Sequence, residues 1–412
     1  MDTEPKQSIE SIPAFDAFRN LLVENIGYFP TFHYDRNGLA GHRMRIFRTP
    51  PAADIRYSER ALVRYICLAD IITLAVSQNR AELLTSGLCL LAGGELLRHN
   101  KFAGLAFIAS AFRDHNFVQL GPRQVIDTAI RAAHKQVAWR AVVNLLFPLA
   151  HEIGHLPESQ KLCPAAIHSD AIYETYSINF EQVRGFTGNF DYRASLLNAE
   201  SPLNLPTLRQ EVASDFFAVA AMTHLPTRCA SSDEVYPLDE IVAGILTFPL
   251  VMGAESMALK WGAGKLELQD ITLAMHCRYS VIIDSIRASI KAQFRGRQDV
   301  AEVCRVIDSA VDHNVSQFDS WHLVVWDAFL DYFRLCQRFA QHSIDDILQM
   351  LRESRADARR SLAIASHLEM LADDVHGYSI DPDNHKELHE FSLKMKTFDT
   401  IVLRGRNALL LN

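Results

Sequence analysis

The sequence predicts a mainly α-helical chain, and three observations carry that prediction. From about residue 58 onward, apolar residues recur at helical spacing through long runs. Alternating strand-like patterns are scarce outside the first 57 residues. Ser343-Ile344-Asp345-Asp346 is an N-terminal capping signal for a helix running through Asp374.

Taken in order, residues 1–57 differ from the rest. Tyr28-Phe29-Pro30-Thr31-Phe32-His33-Tyr34 and His42-Arg43-Met44-Arg45-Ile46-Phe47-Arg48 flank Asn37-Gly38-Leu39-Ala40-Gly41. Aromatic and apolar residues around a glycine-containing loop predict a β-hairpin. Such a hairpin either caps a helical core or offers an edge for strand addition. Helices are then predicted from Ser58 through Val76, Arg80 to Arg98 and Phe102 to Phe112, with a fourth over Arg123 to Leu156. Pro148 either kinks that fourth helix or starts a separate one.

Residues 157–210 carry Pro157, Pro164, Gly185, Gly188, Pro202 and Pro206 around an aromatic-rich middle. This stretch reads as an insertion, either lying over a cleft or forming a packing lobe. Further helices are expected over Arg209–Leu225, Asp233–Gly262 and Leu266–Phe294. In Asp319–Phe339, Trp321, Val324, Val325, Phe329 and Phe333 form a stripe that reads as core.

At 412 residues the chain exceeds the usual single-core size, so more than one unit is expected. The division read from the sequence is an N-terminal segment (1–57), a central core (58–295) with 157–210 inserted over its cleft, and a C-terminal helical region (296–412). A hydrophobic content of 49% fits a folded chain. The net charge of −8 is spread out, with no basic patch for nucleic acid. Seven scattered cysteines without Cys-x-x-Cys spacing fit reduced thiols in a cytoplasmic setting. The longest apolar runs, such as Ile241 to Ala254, are too short to span a bilayer.

One pentapeptide carries chemistry: His151-Glu152-Ile153-Gly154-His155. Two histidines four apart project from one face of a helix and can occupy two corners of a metal's tetrahedron, Zn²⁺ being the usual occupant. Glu152 is rotated round the helix, where it reaches a water on the metal rather than the metal itself. Gly154 is small enough to let another element come close. A catalytic zinc usually takes a third protein ligand. Glu211, in an apolar helix-like run, can supply it. Asp215, one turn on, can accept the free ring N–H of His151 or His155 and so fix its tautomer. The plain alternative for Glu211 and Asp215 is a solvated helix face, but like charges at that spacing repel and here they interrupt an apolar run.

These residues resemble the gluzincin superfamily, whose pattern is HExxH followed by a Glu-x-x-x-Asp helix. The likeness covers about residues 139–225, with Ser214 where Ala is more frequent. It implies a zincin-like helical catalytic core and zinc-dependent hydrolysis of a peptide or protein substrate. His151, His155 and Glu211 would be ligands, Glu152 the general base, and Asp215 would orient a ligand. Some gluzincin families also carry a His and an Arg in the helical region after the Glu ligand. His276-Cys277-Arg278-Tyr279-Ser280 looks like that arrangement, and makes His276, Arg278 and Tyr279 candidate oxyanion donors. The alternative is an ordinary helix N-terminus or a core histidine. His224 and His168 are weaker candidates.

A narrower likeness is to ImmA/IrrE-type peptidases, through Glu211-Val212-Ala213-Ser214-Asp215-Phe216-Phe217-Ala218 and Pro226. Asp215 stands where that signature has Asn, and the gap between the motifs is longer. That likeness implies a regulatory protein acting on a transcription factor. A third reading is a non-catalytic helical interaction protein.

Overall fold

The computed structural model of the chain describes residues 10, 12–34, 45–49, 52–57, 59–98, 107, 139–162, 205–229, 236–258, 268–293 and 300–339. The chain is mainly helical across these residues. The helices are α1 (Pro13–Ile26), α2 (Glu59–Ser77), α3 (Ala81–Arg98), α4 (Trp139–Gly154), α5 (Pro157–Gln160), α6 (Leu205–Cys229), α7 (Leu238–Ser256), α8 (Leu268–Gln293) and α9 (Val300–Phe339). Three short strands, β1 (Thr31–Tyr34), β2 (Arg45–Thr49) and β3 (Ala52–Tyr57), lie between α1 and α2. Among the described residues no helix is long and apolar enough to cross a membrane.

The N-terminal region departs from the sequence reading in two ways. First, it contains α1, which was not anticipated although its punctuation is plain. Pro13 sits in the first turn, where a missing N–H costs nothing. Gly27 closes the helix in the left-handed region (φ 84°), and its N–H reaches the Val23 carbonyl. Second, the two expected strands exist but do not pair with each other. The sheet order is β1-β3-β2, with β1 parallel and β2 antiparallel to β3. The central strand was missed because Pro50-Pro51 reads as a loop and only Ile55 of that segment is a large aliphatic residue; Ile55 is fully buried.

The helical expectations fare better. α2, α3, α6, α7 and α8 fall within a few residues of the predicted spans. α4 runs unbroken from Trp139 to Gly154, so Pro148 lies inside it rather than at its start. Twelve of its sixteen residues are buried, as its apolar sequence requires. α9 begins nineteen residues before the predicted Asp319. Its first half packs a stripe of aliphatic residues on the core, Ile307 and Val311 buried and Val303 and Val315 partly so, rather than aromatic ones. The expected helices over Phe102–Phe112 and Ser343–Asp374, and most of the 157–210 insertion, fall outside the described residues.

One hydrophobic cluster joins residues of all the long helices. Within it, α4 packs on α6 and α7, while α6 also packs on α8. Phe147 of α4 and Phe248 of α7 meet with ring centroids 4.6 Å apart. β2, at one edge of the sheet, touches α4. The helix carrying the histidine pair is thus held on several sides before any ligand chemistry is considered.

Candidate metal centre

The centre forms where α4 and α6 come close enough for their backbones to meet. A Cβ placed on Gly154 would stand 2.6 Å from the Ser214 Cα and 2.8 Å from its carbonyl oxygen. Only glycine permits that approach. Ser214 is fully buried and its hydroxyl donates to the Gln210 carbonyl, 2.8 Å away, so the small side chain on the facing helix is satisfied within its own turn. Gln160, in α5, clasps the contact: its side-chain amide donates to the Gly154 carbonyl and lies 3.4 Å from the Ser214 Oγ.

This close crossing delivers three donors to one place. Atoms of His151, His155 and Glu211 all lie within 4.8 Å of one another and can hold a metal ion. His151 Nε2 is 3.3 Å from Glu211 Oε2, and His155 Nε2 is 3.7 Å from Glu211 Oε1. Donors about 2.0–2.1 Å from a shared ion at tetrahedral angles stand about 3.3 Å apart, so the His151–Glu211 edge suits a small divalent cation, while the His155 edge, to the other carboxylate oxygen, is longer. Two imidazoles and one carboxylate are also a donor set that such a cation prefers.

Behind the donors lies a charged, buried layer. Asp215 Oδ1 is 2.8 Å from His151 Nδ1, within hydrogen-bond distance although the N–H is not aimed along that line. Arg278, from α8, donates through Nε to Asp215 Oδ2 (2.7 Å) and through Nη2 to Oδ1 (2.6 Å). Its Nη1 is 3.3 Å from Glu211 Oε2. Phe248 supports the layer, with its ring 5.1 Å from that of His151 and 5.3 Å from the Arg278 guanidinium carbon.

These neighbours set the protonation states. Burial opposes ionisation of Asp215, but the Arg278 guanidinium outweighs it and holds the carboxyl below its usual range. Glu211 is likewise depressed, by Arg278 and His151 against its burial. Burial would push His151 down, yet its contacts with Asp215 and Glu211 raise it to about 9. Burial lowers His155 to about 4, helped by the neighbouring charge of His151. His155 therefore offers a free lone pair at neutral pH.

Other sequence candidates fall in different places. Glu152 is half-buried on α4, next to His151. Tyr279 is buried in the apolar core. The backbone at His276 is part of α8, but its side chain lies outside the described residues. His224, on α6, directs Nδ1 to the Ala220 carbonyl at 2.7 Å, a bond within its own helix. His168 lies outside the described residues. Sequence reasoning missed Phe248 and Gln160. Nothing in the sequence singles out Phe248 from the other apolar residues of its helix.

Compared with family models, with curated proteins and with solved structures, the chain finds no match in any of the three. The functional reading therefore rests on the residues and their geometry.

Proposed function

We propose that this chain is a zinc-dependent peptidase of gluzincin type, with His151, His155 and Glu211 as ligands and Glu152 as general base. The observation that carries the proposal is the convergence of those three donors on one point, with Glu152 adjacent to the first of them. A cation bound there would supply Lewis acidity, polarising a substrate carbonyl and making water a stronger acid. The chain's own residues do the rest. Glu152 accepts the proton of the attacking water and returns it to the departing amine. Asp215 sets the orientation of His151, and uncharged His155 keeps its lone pair available.

Zinc-loaded protein incubated with a mixed peptide library tests this reading. Wild type is expected to cleave. Glu152→Gln should retain metal and lose about 10²–10⁴-fold in rate, the span of a general-base contribution. Cleavage by the variant at the wild-type rate, or none by the wild type, would sink the assignment.

A further inference from the structure

Glu211 and Asp215 sit four residues apart on α6, a spacing at which like charges repel, and Asp215 is only 1% exposed. Arg278 of α8 meets both. Its fork grips Asp215 through two parallel hydrogen bonds of 2.7 and 2.6 Å, while Nη1 stands 3.3 Å from Glu211. Phe248, 5.3 Å from the guanidinium carbon, backs both that group and the His151 ring. The three groups form a chain from α8 through Asp215 to His151, with a branch to Glu211.

We propose that Arg278 is a positioning residue for the metal centre: it fixes the Asp215 carboxylate that orients His151 and draws Glu211 into coordinating position. Three of its donor nitrogens lie against these two carboxylates, and through them it acts on the metal ligands. The inference rests on the metal-site reading above. Its chemical requirement is a planar, two-pronged donor. Lysine supplies the charge but only a point donor, so it can reproduce part of the arrangement and not all of it.

The test is Co²⁺ binding to the full-length chain, followed by titration and by the visible absorption of the bound ion. Wild type, Arg278→Lys, Arg278→Met, Asp215→Asn and the double variant Arg278→Met/Asp215→Asn are compared. Partners that orient metal ligands are worth about 10–100-fold in affinity, so Arg278→Met should bind that much more weakly with an altered spectrum. Arg278→Lys should recover part of both. Arg278→Met leaves Asp215 buried without its cation and can fail to fold; the double variant removes both charges and is then read against Asp215→Asn alone, with weaker binding than that single variant expected. A folded variant lacking Arg278 that binds Co²⁺ within twofold of wild type, with an unchanged spectrum, overturns the proposal while leaving the metal site intact. A wild type that binds no Co²⁺ removes both readings.

Discussion

His151 and His155 stand one turn apart on the same helix, and their surroundings treat them oppositely. His151 faces inward, 4% exposed, against Asp215, Glu211 and Phe248, and is raised to about 9. His155 faces the more open side, 26% exposed, and is lowered to about 4. The same residue type at equivalent helical phase thus acquires two characters from what packs against it. The inner wall, made of His151, Asp215 and Arg278, is buried and charged. The outer wall, made of His155 and Glu211, is partly open to solvent.

The most severe way to break this contrast is to part the two helices. Gly154→Ala would drive a methyl against Ser214 backbone that has no side chain to swing away. A loss of about 1–3 kcal/mol in denaturant unfolding is expected, together with weaker metal uptake because Glu211 retreats from both imidazoles. Stability and uptake equal to wild type would show that the close crossing is not what assembles the donors.

The two histidines also make a pH prediction for metal-stripped protein. His151 is raised above its unfolded value near 6.5, so its contribution to stability is full below that pH and fades as pH climbs through about 9. His155 is lowered, so the folded state resists its protonation and stability falls as pH drops from about 6.5 through about 4. Glu211 and Asp215, both depressed, add to the acid-side loss. Stability of the stripped chain should therefore peak near pH 6.5, as read by thermal unfolding across the range. His155→Gln should soften the acid limb and leave the alkaline one. A flat profile, or a variant that alters the wrong limb, would undo the assignment of inner and outer characters.

The mildest perturbation is Gln160→Met, which keeps the bulk of the clasp and removes its donor to the Gly154 carbonyl. A cost of about 0.5–1.5 kcal/mol is expected in unfolding, with metal content maintained. Loss of the metal in this variant would mean that the clasp, rather than the glycine contact, holds the helices together.

Much of this arrangement is legible in the sequence, for identifiable reasons. The helix of His151 and His155 is marked by a local repeat and an apolar approach. The donors separated by 56 residues, His155 and Glu211, can be matched because each belongs to an apolar run interrupted by charge. Gly154 announces a close approach, and the structure supplies Ser214 as the partner. Other parts depend on tertiary contact and leave no local trace. Arg278 lies 63 residues beyond Asp215, and no spacing rule says which carboxylate it will find. Phe248 is one apolar residue among many in a helix buried on most sides. β3 is concealed behind two prolines, and its pairing with both neighbours follows from topology rather than from alternation. The first half of α9 hides because its core stripe is valine and isoleucine, which local preference assigns equally well to strands.

Zinc content of the purified full-length protein, measured beside His151→Ala after equilibration with excess Zn²⁺ and removal of unbound ion, bears most directly on the centre. The donor set leads to about one zinc per chain in the wild type and none held by the variant. A wild type that retains no metal, or a His151→Ala chain that retains as much as wild type, would contradict it.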